Sequence, residues 1–179
     1  MLTRKILVAA LFLALASSAQ AAGNGWYIGP EAGFGLLNSG SGSHLDYGFE
    51  VGTRLLPNLL GGIYYNYIPF GSVSSPDGTS VSGSEKFYGG QLVYDFTPVV
   101  TGLTFGLRLG LSNISTQAVT AATGEDDQSS SGIAWGPIVG YEKPVSTSWT
   151  AGGIMYLMVP SEAAANNVFG ILGTLKYWF

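Results

Sequence analysis

The sequence has one histidine, His44, which stands beside Ser43 and two positions before Asp46. This is its nearest approach to a hydrolytic constellation, because a serine nucleophile needs a base within hydrogen-bond reach and an acid to orient that base. On an extended strand neighbouring side chains point to opposite faces, so Ser43 points away from His44. His44 therefore reads as a solvated residue, and no enzyme activity is expected. Glu125-Asp126-Asp127 could touch a divalent cation. Calcium, however, needs six or more oxygens in a defined loop, and three adjacent acids among Gly, Ser and Thr read as a solvated tip. The absence of cysteine removes disulfides, thiolate metal sites and lipid attachment through a thiol. With a single histidine besides, neither a metal nor another cofactor is expected.

The remaining charged residues follow a pattern. Residues 103–111 place Leu103, Phe105, Leu107, Leu109 and Leu111 on one side of a strand, with Thr104, Gly106, Arg108 and Gly110 on the other. A helix would scatter those leucines around its circumference. The same period of two recurs at 26–36, 45–55, 132–143 and 168–179, with bulky apolar residues on one face and Gly, Thr and charged residues on the other. Segments 59–69, 86–96 and 148–159 are strand-like, with their facing left open. That makes eight strands, each expected near the roughly 9–11 residues of a tilted membrane strand.

The connections alternate. Residues 37–44, 70–85, 112–131 and 160–167 read as long polar loops, whereas Leu56-Pro57-Asn58, about 97–102 and about 144–147 are short joins. The start of the chain reads as a cleaved signal peptide over 1–21, with Arg4 and Lys5, an apolar run from 6 to 16, and the small-x-small site Ala19-Gln20-Ala21. Residues 22–179 then form one domain. Removing Arg4 and Lys5 leaves five basic against eleven acidic side chains, a formal charge of −6 that argues against a nucleic-acid partner.

Few charges, 27 glycines and 13% aromatic residues suit an all-β protein whose outside meets lipid. Eight strands leave an interior just wide enough for side chains, so Trp and Leu on every strand would overfill it. The bulky face is therefore expected outward, as in an antiparallel up-and-down transmembrane β-barrel. Aromatic belts test this facing. Trp26, Tyr94, Phe96, Tyr141, Trp149, Tyr177 and Phe179 should gather at the rim nearest the termini, and Phe34, Tyr47, Tyr67, Trp135 and Phe169 at the opposite rim.

The opening run from Gly25 to Gly35, Gly-Trp-Tyr-Ile-Gly-Pro-Glu-Ala-Gly-Phe-Gly, resembles the first strand of the small outer-membrane barrels of the OmpA transmembrane-domain, OmpX and OmpW class. Leu175-Lys-Tyr-Trp-Phe179 is similar to the C-terminal assembly signal of the wider group, carried by Leu175, Tyr177 and Phe179. The resemblance implies an outer-membrane location with both termini periplasmic and the long loops extracellular. It also implies delivery by periplasmic chaperones to the barrel-assembly machinery, contact with outer-membrane lipids (lipopolysaccharide and phospholipid), and a monomer. Some comparable barrels resemble lipid A palmitoyltransferases and deacylases, but the histidine motif those enzymes need is missing here.

On the assigned facing, Glu31, Asp46, Glu50, Arg54, Asp95, Arg108, Glu142 and Lys176 point into the lumen. Isolated charges there would be very costly, so pairing or hydration is expected. Arg108 should engage Glu50, Glu31 or both, and Lys176 should serve Asp95 or Glu142. Such a network either fills a closed barrel or forms a narrow constriction for small solutes. A structural or surface-interaction role is the leading expectation, ahead of a narrow pore and well ahead of an outer-leaflet lipid enzyme.

Overall fold

The computed structural model describes residues 25–37, 43–74, 80–96, 99–120, 124–161 and 167–179. The expected signal peptide and the tips of the long connections lie outside the described residues, as do the side chains of Glu125, Asp126 and Asp127. Eight strands appear in chain order: β1 (Trp26–Leu37), β2 (Ser43–Leu56), β3 (Leu59–Ser74), β4 (Ser80–Asp95), β5 (Leu103–Thr120), β6 (Gly124–Pro144), β7 (Trp149–Pro160) and β8 (Val168–Trp178). Each pairs antiparallel with its sequence neighbour, and β8 returns to β1 to close the barrel. The expected all-β, up-and-down, eight-stranded architecture is the observed one.

Closure is sealed next to the chain ends, where Trp26 N–H donates to Phe179 O at 3.1 Å and Phe179 N–H donates to Trp26 O at 2.9 Å. The short joins lie at this terminal end. Gly102 takes a positive φ of 87° in the β4–β5 join, and a Cβ there would come within 2.5 Å of Glu142 O, so only glycine suits the turn.

Pro30 and Pro137 lie inside strands that pair on both sides. Pro30 pairs with Phe49 on β2, and Pro137 with Leu107 on β5. The opposite ladders lapse beside them, at 29–30 toward β8 and at 136–137 toward β7. A missing N–H is tolerated where the ladder already opens.

The sequence reading needs one correction of scale. Residues 70–85 and 112–131 are largely strand rather than loop, so β5 reaches 18 residues and β6 reaches 21, well beyond the expected length. Pairing continues out to Ser74↔Ser80 and Thr120↔Gly124. Among the described residues, β2 meets β3 only up to Tyr47↔Tyr67, and β6 meets β7 only from Ala134↔Pro160. A four-stranded sheet of β3, β4, β5 and β6 thus stands beyond the barrel rim at the end away from the termini. Alternating Ser, Thr and Gln reads as loop by composition, but it also suits a sheet with water on both faces.

Candidate functional site

The outer and inner faces of the barrel divide by parity. Ile28, Phe49, Leu92, Phe105, Leu107, Leu109, Met155 and Ile171 are exposed, while Glu31, Glu50, Gln91, Arg108 and Lys176 are buried inside. A surface that exposes its large apolar side chains and buries its charges suits hydrocarbon rather than water.

Room for the charges comes from glycine. Arg108 is flanked on β5 by Gly106 and Gly110 and lies opposite Gly136 on β6. Its guanidinium therefore crosses the lumen unobstructed. Nη2 meets Glu31 Oε1 at 2.7 Å, Nη1 donates to Asn66 Oδ1 at 2.9 Å, and Nε donates to Gln91 Oε1 at 2.9 Å. The ring of Tyr64 lies under the same group, with its centroid 4.6 Å from Cζ. Each of the three guanidinium nitrogens thus has a side-chain acceptor and the group lies on an aromatic face, which is how a buried guanidinium is made tolerable.

The network continues from there in both directions. Toward the far end, Asn66 Nδ2 donates to Glu31 Oε2 at 3.2 Å and to Asp46 Oδ1 at 3.3 Å, and the Tyr156 hydroxyl donates to Asp46 Oδ2. Toward the terminal end, Gln91 Nε2 donates to Glu50 Oε2, and Tyr27 OH donates to the same oxygen at 3.2 Å. Lys176 Nζ lies 2.9 Å from Glu50 Oε1 and 2.8 Å from Glu142 Oε1, and the latter oxygen also accepts from Thr174 Oγ1 at 3.0 Å. Arg108 thus reaches Glu31 directly and Glu50 through Gln91, and Lys176 bridges Glu142 and Glu50. The Lys176–Glu50 contact was not foreseen. Arg54 and Asp95 are half-buried at the terminal rim rather than deep in the lumen, and Arg54 Nη1 donates to Pro57 O at 2.6 Å.

The space beside this network is small. The cavity among Glu50, Gln91, Arg108, Glu142 and Lys176 measures about 10 Å³, the scale of one water. Toward the far end Ile68, Phe87, Met158, Val168 and Leu172 pack inward, with the buried Glu85 paired in register with Ile68 and Ser112 with Phe87. Toward the termini Trp178 packs against Tyr27 with ring centroids 4.9 Å apart, and Arg54 Cζ lies 5.6 Å over the indole.

No protein-family model matches the sequence, and no curated protein matches it either. Solved structures do match. Ail, the attachment invasion locus protein of Yersinia pestis, in complex with the heparin analogue sucrose octasulfate, aligns at a TM-score of 0.58 with 8% identity, over 87% of this chain and 97% of its own. A major outer membrane protein from Thermus thermophilus aligns at 0.55 with 10% identity, over 87% and 99%. The N-terminal β-barrel domain of Pseudomonas aeruginosa OprF aligns at 0.52 with 17% identity, over 86% and 97%. The fold is that of a small outer-membrane β-barrel.

On this barrel the aromatic residues fall at two levels. Near the termini Trp149 packs on Tyr177 at 5.0 Å between centroids, Tyr177 on Phe179 at 6.2 Å, and Tyr94 on Phe96 at 4.8 Å, with Tyr141 exposed and Trp26 half-buried nearby. Toward the far end Tyr47 packs on Tyr67 at 5.3 Å, and Phe34, Trp135 and Phe169 are exposed. Leu175, Tyr177 and Phe179 form one outward row at the end of β8 and just beyond it. Ser43 is exposed and His44 half-buried on opposite faces of β2, while Asp46 is taken up by Tyr156 and Asn66, so the three form no catalytic geometry.

Sequence reasoning missed Tyr27, Tyr64, Asn66, Gln91 and Tyr156 as members of the network. It also missed Glu85, assigned to a loop. Glu85 is fully buried on β4, and neither carboxylate oxygen has a hydrogen-bond partner among the described residues.

Proposed function

We propose that the chain is a non-enzymatic integral protein of a bacterial outer membrane, that its lumen does not conduct, and that its working surface is the sheet of β3, β4, β5 and β6 beyond the rim. The observation that supports this most is the filled lumen, where the cavity beside the Arg108 and Lys176 network measures about 10 Å³ and large apolar side chains pack inward beyond it. A barrel with no passage acts through what it displays, and loops or strand extensions on a rigid scaffold are where binding residues concentrate. On this reading both termini face the periplasm and the projecting sheet lies outside the cell. The row Leu175, Tyr177 and Phe179 serves recognition by the assembly machinery, with chaperones acting before insertion. Outer-membrane lipids surround a monomer. The experiment is planar-bilayer conductance of the refolded protein: silence is expected, and steady single-channel openings would replace this reading with a narrow solute pore.

A further inference from the structure

Among the described residues five buried acids, Glu31, Asp46, Glu50, Glu85 and Glu142, share the barrel interior with two buried cations, Arg108 and Lys176. Both cations are committed, Arg108 to Glu31 and Lys176 to Glu50 and Glu142. Asp46 is held by neutral donors, Asn66 and Tyr156. Glu85 has nothing: neither of its oxygens meets a hydrogen-bond donor among the described residues. A bare carboxylate out of water is costly, so this part of the lumen attracts positive charge.

The surroundings of Glu85 narrow the kind of cation. On the lumen side Glu85 of β4 pairs in register with Ile68 of β3 and Ile114 of β5. One inward step toward the termini, Phe87 stands opposite Ser112, whose Oγ is likewise buried without a partner. Diagonal neighbours such as Glu85 and Ser112 are roughly 7–8 Å apart at Cβ, which leaves room for one small group between their polar ends. Three unmet oxygens therefore converge there: two of a carboxylate and one hydroxyl, which accepts as well as donates. A primary ammonium carries three N–H donors, and the Phe87 ring is a further attraction for a cation. Calcium takes roughly 6–8 oxygens, and a quaternary ammonium has no N–H to offer.

A way in is present. One inward step beyond Glu85 the paired Gly83 and Thr116 share its parity, and both line a cleft of about 400 Å³ beyond the rim. Gly83 has no side chain, so nothing in the inward row of β4 stands between that cleft and Glu85. We infer that Glu85 and Ser112 bind the primary ammonium of a small alkylamine entering from the cleft. Its three N–H groups meet Glu85 Oε1, Glu85 Oε2 and Ser112 Oγ, and its methylene stem lies between Ile68 and Ile114.

The site depends on the barrel interior alone, so it is tested separately from the membrane reading above. The full chain is refolded in detergent micelles and titrated at constant ionic strength with n-butylammonium, tetramethylammonium, sodium or calcium chloride, while backbone amide shifts are recorded. Saturable shifts centred on Glu85, Phe87, Ser112 and Ile114 are expected with n-butylammonium and not with the other salts. Glu85→Gln should weaken binding at least about tenfold, the scale of a lost charged hydrogen bond. Ser112→Ala should weaken it severalfold, and Ser84→Ala, on the opposite face of β4, should leave it unchanged. The heat-modified gel shift reports whether each variant still forms the barrel. If Glu85→Gln does not fold, Ser112→Ala against Ser84→Ala decides. Equal shifts with sodium or tetramethylammonium would reduce the effect to screening and overturn the site. Calcium acting as well as n-butylammonium would overturn the ammonium as its ligand. No saturable response, or full binding in Ser112→Ala and Glu85→Gln, overturns the proposal outright. A conducting barrel in planar bilayers would remove the closed-lumen reading and leave these shifts where they are.

Discussion

Arg108 of β5 and Glu31 of β1 join strands that lie four apart around a ring of eight, with 2.7 Å between Nη2 and Oε1 and side chains no more than 1% exposed. The pair is a strut across the lumen rather than a contact between neighbours. It carries Asn66 and Gln91 with it, because Arg108 donates to both.

Arg108→Met should lower stability by about 3–5 kcal/mol, since it leaves Glu31 as a buried charge without its cation. The urea midpoint of the refolded barrel in micelles reads this loss. Adding Glu31→Leu should restore much of it, because replacing a whole buried pair with apolar side chains is often neutral. A double variant as weak as the sum of the two singles would show that the strut is not a coupled unit.

Glu85 predicts the opposite sign. Its carboxylate is buried without a hydrogen-bond partner among the described residues, close in sequence to buried Phe87. Glu85→Leu should therefore raise stability by about 1–3 kcal/mol, the scale of an unmet buried polar group. A lower urea midpoint in this variant would show that the carboxylate is in fact satisfied, for instance by lumen water.

Gly170 faces Tyr156 across the β7–β8 ladder, and a Cβ at Gly170 would run into the Tyr156 ring. Gly170→Ala should cost about 1–3 kcal/mol through overpacking. The ring it displaces is the one whose hydroxyl holds Asp46. Tyr156→Leu in the same chain should relieve the clash, so the double variant should fall short of the summed losses. Simple additivity would refute the clash.

Removing Phe179 should reduce outer-membrane insertion in cells while purified protein still refolds in detergent. Phe179 contributes two backbone hydrogen bonds to Trp26, but β1 and β8 remain paired from Tyr27↔Trp178 to Leu37↔Val168 without it. Comparing insertion in cells with the folded fraction in micelles separates delivery from stability. Equal losses in both assays would make Phe179 a structural residue and nothing more.

Alternation made the barrel legible where the two faces differ in kind. On β5, leucines alternate with glycine, threonine and arginine, and Arg108 could be placed inside from the sequence alone. On β3, β4 and β7 the period blurs. Gly61-Gly62, Gly89-Gly90 and Gly152-Gly153 put glycine on both faces, and Tyr64-Tyr65 does the same with an aromatic pair. The inward row of β7 is itself largely apolar, with Ile154, Tyr156 and Met158, because large side chains fill much of the far part of the lumen. Neighbouring registers resolve what local patterning leaves open. Tyr64, Asn66 and Gln91 could be recognised as inward only once β3 and β4 were fixed against β2 and β5.

The strut has a consequence for how the barrel comes into being. Glu31 and Arg108 are 77 residues apart, and Lys176 draws on Glu50 from the other end of the chain. Successive hairpins can form one by one, because each closes over a short turn. The interior cannot, because contacts of such long sequence separation form only after the intervening chain is in place. Before β8 reaches β1, an open sheet exposes these side chains to water, where separate ions are content. Shutting the ring strips that water from both cations and their carboxylates together. Locking of the lumen is therefore one late, concerted event, and a partly assembled sheet draws no stability from it.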